Sequence, residues 1–88
     1  MLFVRLIKLK SPYSKQQKIW FDKKHKEALK WGVKFQHTYF TLGNYDVVSI
    51  VEAPDENSAL KYAIATAEEA SSTTLVAVPK VEVDNWQE

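Results

Sequence analysis

Two stretches of this chain are apolar on both sides when laid out as strands, and that limits what the rest can fold into. In residues 1–8, Leu2, Val4 and Leu6 alternate with Phe3, Arg5 and Ile7. In residues 46–53, Val48 and Ile50 alternate with Val47, Ser49 and Val51. Successive strand side chains point to opposite faces of a sheet, so both stretches need cover above and below. The remaining segments decide what cover is available. Ser14 to Trp31 contains neither Gly nor Pro and is rich in Lys, Gln, Glu and Ala, which predicts a helix stopped by Gly32. Phe21, His25, Ala28 and Leu29 form its expected sheet-facing stripe, with Trp20 and Trp31 at the edge. Val33 to Leu42 reads as a strand with Phe35, His37 and Tyr39 on one face and Thr38, Phe40 and Leu42 on the other. Gly43-Asn44 supplies a tight turn, so the following strand runs back antiparallel.

Pro54-Asp55 opens a second helix whose expected buried face is Ala59, Leu60, Ala63, Ile64 and Ala67. Ser71 to Val78 is the fourth strand, ended by Pro79, and residues 80–88 form a polar tail that adds an edge segment through Val81 and Val83. The order is β-α-β-β-α-β. It predicts an α+β, ferredoxin-like domain spanning residues 1–88, with a four-stranded antiparallel sheet and two helices on one face. Nothing is left to cover the other face, although the two doubly apolar strands require it. A second copy of the chain is the simplest cover, so a homodimer or higher homo-oligomer is expected. With 88 residues, the chain also gains from association, because a domain of this size buries only roughly 60% of its unfolded surface.

Several function classes are disfavoured by composition. The chain has no cysteine, which removes disulfide frameworks and thiolate metal sites and suits a cytoplasmic location. No apolar run reaches the ~20 residues of a membrane span, and no signal peptide is recognisable. His25 and His37 lie on different elements without an acidic cluster, so neither a metal site nor a cofactor is expected. The net charge of +1 hides an asymmetry. Residues 1–45 carry ten basic and two acidic residues, and residues 46–88 carry two basic and nine acidic. The lysine-rich first helix raises nucleic-acid binding as an option, but the third strand offers no aromatic platform for bases, so a solvated lysine face is preferred.

The run Thr41-Leu42-Gly43-Asn44-Tyr45-Asp46-Val47-Val48-Ser49-Ile50-Val51-Glu52-Ala53-Pro54-Asp55 resembles the signature of the GYD domain family. Thr74-Leu75-Val76-Ala77-Val78 is similar to that family's last strand, although Glu69-Ala70-Ser71 stands where the family often has a glycine. The resemblance implies a ferredoxin-like domain of the dimeric α/β-barrel type and brings no established activity. More distantly, the Gly43-x-Tyr45-Asp46 turn is similar to the effector-binding domain of Lrp/AsnC regulators. That likeness implies dimerisation through the sheet and small-molecule binding.

The candidate ligand-binding residues are Arg5, His37, Tyr39, Tyr45, Asp46 and Ser49. Arg5 is a cation in an otherwise apolar strand, and Ser49 shares its parity. Both are expected on the face turned away from the helices, where Arg5 can hold a carboxylate or pair with an acid of a partner subunit. Asp46 either bonds locally at the turn or lines a cavity at the sheet end together with Tyr45. His37, beside Tyr39, is the candidate general base of an alternative function, a cofactor-independent monooxygenase or isomerase. The leading expectation is a homodimeric module that binds a small anionic molecule.

Overall fold

The structure is a computed structural model that describes residues 1–87. Strand β1 (Leu2–Leu9) runs between β3 (Val47–Glu52) and β4 (Ala70–Ala77), and β2 (Lys34–Phe40) pairs with the outer edge of β3. Sheet order is therefore β2-β3-β1-β4, with all three pairings antiparallel. The two doubly apolar strands hold the central positions, where both faces can be covered. Helices α1 (Lys15–Leu29) and α2 (Glu56–Thr66) pack on one face of the sheet, which gives the ferredoxin-like α+β arrangement. No helix of the described residues is long and apolar enough to cross a membrane.

Local chemistry fixes the helix ends. Ser14 adopts an extended conformation and its Oγ accepts the Gln17 amide at 3.2 Å, which starts α1. Beyond Leu29 the chain reverses through Gly32 at φ 78°, with Gly32 N–H donating to Leu29 O and Val33 N–H to Ala28 O. This two-bond closure requires a left-handed residue, and glycine supplies it without a Cβ penalty. Asp55 caps α2 by accepting the Ser58 amide at 2.8 Å, which holds its carboxyl below the usual carboxylate range.

Three expectations are corrected. Strand β2 carries a bulge between Phe35 and His37, so that Phe35 faces Val51 while His37 faces Ile50, Thr38 faces Ser49 and Tyr39 faces Val48. The extra residue, Gln36, reverses the alternation: Phe35, Thr38 and Phe40 share the helix-covered side, and His37 and Tyr39 share the other. On α2 the buried ridge is Ala59, Tyr62 and Thr66, while Leu60 and Ile64 are 57% and 67% exposed. Small Ala59 allows close approach to the sheet, and the Tyr62 ring spans the gap to it. Thr66 can be buried because its hydroxyl donates to Tyr62 O at 3.0 Å. Finally, the segment after Pro79 is not an edge strand: it forms a short helix, α3 (Lys80–Asn85), with no buried residue. Proline has its φ fixed near a helical value and lacks an amide to donate, so it suits a helix start. Residue 88 of the expected tail lies outside the described residues.

Candidate functional site

The register of the sheet assembles a polar row on its helix-covered side. Thr38 pairs with Ser49, Ser49 with Arg5, and Arg5 with Thr74, so one residue from each strand stands in line. Apolar clusters flank this row. Phe3, Val51, Ala28, Ala59 and Tyr62 belong to one, and Ile7, Val47 and Ala70 form the other. Arg5 and Ser49 are only 3% and 4% exposed. The Arg5 and Ser49 side chains thus face the helices, contrary to the expectation that they turn away. Each strand is apolar on both sides, so its alternation alone does not say which side α1 and α2 occupy.

Arg5 is held by weak partners. Its guanidinium carbon sits 4.7 Å from the centroid of the Tyr62 ring, and Nη2 donates to Ser72 Oγ at 2.9 Å. Nε is buried and has no hydrogen-bond partner among the described residues. The ion pairs among the described residues are Lys18–Asp22, Lys24–Glu27 and Lys80–Asp84, and Arg5 takes part in none of them. Burial lowers the pKa of Arg5, with Tyr62 opposing, but a guanidinium remains charged throughout the working pH range. Burial also pushes the Tyr62 hydroxyl up to about 12, against the influence of Arg5, so Tyr62 is a neutral phenol.

Above this row lies a cavity of about 320 Å³ between the sheet and the two helices. Arg5, Ser49 and Thr38 give it a polar floor, and Phe21, His25 and Tyr62 wall it from the helices. The Thr38 and Ser49 hydroxyls lie 3.2 Å apart, so one can donate to the other. His25 stacks on Phe35 at 4.1 Å between centroids. Burial is the main cause of its lowered pKa; Arg5 lowers it further and Asp22 opposes, so the imidazole is neutral at pH 7. At the mouth, Tyr13 from the β1–α1 loop meets Phe40 of β2 edge to face at 4.9 Å. No group of three or more metal-ligating side chains occurs among the described residues.

The six sequence-derived candidates do not form one site. Arg5 and Ser49 share the cavity floor. Asp46 lines a neighbouring hollow beside Tyr13 and Phe40, and Tyr45 a different hollow beside Leu6 and Lys8. His37 and Tyr39 stack at 6.0 Å on the opposite sheet face, displaced there by the bulge. Sequence reasoning missed Tyr62, Thr38 and Phe40 as cavity residues. Tyr62 had a signal, since it is the only aromatic residue of α2; the bulge that turns Thr38 and Phe40 inward has none, because Gln36 is neither Gly nor Pro.

Residues 11–86 match the family model described as GYD domain. The chain belongs to the GYD domain family. No curated protein matches it. In this GYD domain the Gly43, Tyr45 and Asp46 positions lock the β2–β3 hairpin to the end of β1. Gly43 adopts φ 105°, Tyr45 O accepts from Thr41 Oγ1 at 2.6 Å, and the Asp46 amide donates to Ile7 O at 2.8 Å. Asp46 Oδ2 accepts the Leu9 amide at 2.8 Å, tying the carboxylate to β1 rather than to its own turn. Asp46→Ala is expected to cost about 1 kcal/mol, the usual worth of one partly solvated charge-assisted hydrogen bond. Urea unfolding checks this, and an unchanged midpoint would show that the contact carries no stability.

Proposed function

We propose that this GYD domain is a homodimeric module that binds a small anionic molecule in the cavity over Arg5. The observation that carries the proposal is a guanidinium, almost fully buried in a mostly apolar cavity and paired with no carboxylate among the described residues. Isolated buried charges are costly, and a cation–π contact with one hydroxyl only partly compensates. A bound anion completes the balance and finds a low-dielectric site that strengthens its attraction to Arg5. His37 stands on the opposite face from this cavity, which favours the binding module over an enzyme that uses that residue as its general base.

The second copy is supported by the uncovered face. Leu2, Val4, Leu6, Val48, Ile50 and Leu75 line it, while α1 and α2 both occupy the opposite side. Sizing in solution is expected to give a dimer, and calorimetry with small carboxylates is expected to show binding that Arg5→Met abolishes. A stable monomer overturns the first part. Binding retained by Arg5→Met overturns the second.

A further inference from the structure

We infer that the anion taken by this cavity is a planar aromatic monocarboxylate. The inference rests on the anion site proposed above and adds the class of ligand. Charge count fixes the number of carboxylates. Among the described residues Arg5 is the only Lys or Arg lining the cavity, and Asp22 at its rim is engaged with Lys18 at 2.8 Å on the surface. One cation balances one negative charge, and a second carboxylate or a phosphate dianion would enter unpaired. The walls decide the body of the ligand. Phe21, Tyr62 and His25 stand on the helix side and Tyr13 and Phe40 at the mouth, so five rings surround the space above the polar row. The His25 imidazole is already stacked on Phe35, and the Tyr62 ring meets Phe35 edge to face at 5.0 Å. A flat ring inserted here continues an aromatic arrangement that a puckered aliphatic ring of equal size cannot match. The volume sets the size. About 320 Å³ holds roughly ten water-sized groups, enough for one or two fused rings bearing a carboxylate.

Calorimetric titration of the purified full chain at pH 7 with benzoate, cyclohexanecarboxylate, terephthalate and inorganic phosphate tests the class. Benzoate and cyclohexanecarboxylate share charge and ring size and differ in aromaticity. Benzoate is expected to bind on the order of tenfold more tightly than cyclohexanecarboxylate. Terephthalate is expected to bind on the order of 100-fold more weakly than benzoate for want of a second cation, and phosphate similarly weakly for want of a ring to meet the aromatic walls. Phe40→Leu, which removes one of the five rings while keeping an apolar side chain at the mouth, is expected to shrink the ratio of benzoate to cyclohexanecarboxylate affinity. Equal affinity for the two ring acids overturns the aromatic assignment and leaves the anion site standing, and equal affinity for phosphate overturns the monocarboxylate assignment in the same way. If none of the four binds to the folded protein, the anion site itself is wrong, and this inference falls with it.

Discussion

Arg5→Met is expected to make the free domain more stable by about 1–2 kcal/mol, raising its Tm by roughly 5–10 °C, while abolishing anion binding. Opposing terms decide the sign. The guanidinium loses hydration worth several kcal/mol on burial. It recovers about 1–2 kcal/mol from the Tyr62 ring and about 1.5 kcal/mol from the hydrogen bond to Ser72. Methionine keeps much of the aliphatic volume, lies comfortably against the ring and carries no charge to desolvate. A residue whose removal stabilises the fold yet ends binding is retained for binding. Thermal unfolding of the unliganded variant checks this. A lowered Tm would show instead that Arg5 holds the structure together through Tyr62 and Ser72.

Gly32→Ala is expected to cost about 3 kcal/mol, enough to lower the Tm by more than roughly 10 °C. Forcing alanine into the left-handed conformation at φ 78° accounts for about 1 kcal/mol. The larger share comes from contact, since the new Cβ would stand 2.8 Å from Pro54 Cγ and 3.1 Å from Pro54 Cδ, on a ring that cannot rotate away. Gly43→Ala is the internal control: its φ of 105° carries strain too, but its Cβ would meet nothing within 4 Å. Denaturant unfolding of the two variants should therefore show a clear gap. Equal losses would mean that backbone strain alone sets the cost and that the α1–β2 corner does not depend on Pro54.

The topology was legible because each element has its own punctuation. Gly32, Gly43-Asn44, Pro54-Asp55 and Pro79 divide the chain at the observed boundaries to within a few residues. Periodicity named the elements, but it could not choose sides where two sides looked alike. Strands β1 and β3 are apolar on both faces, so the direction of Arg5 and Ser49 depends on where the helices pack. On α2, Leu60 and Ile64 look like the core ridge by hydropathy, yet the ridge that packs is the one whose Tyr62 ring covers the buried cation. The bulge at Gln36 shifts parity by one residue, and its effect is the complete exchange of His37 and Tyr39 for Thr38 and Phe40. Two of the six candidates, His37 and Tyr39, therefore stand on the face opposite the cavity. The family motif carries its own lesson, because Gly43, Tyr45 and Asp46 were legible as a signature while their bonds tie down a hairpin outside the cavity.

If the cavity takes the proposed anion, the polar row that splits the apolar interior into two clusters would also tie folding to ligand supply. With a gap of about 320 Å³ between sheet and helices, the domain is held by two partial cores, and a guest that neutralises Arg5 would fill the space between them. By mass action a ligand at 100 times its Kd adds about 2.7 kcal/mol to the folded state, a large fraction of the total stability of a domain this small. On the proposed reading, the amount of folded protein that survives proteolysis would rise and fall with the supply of that anion.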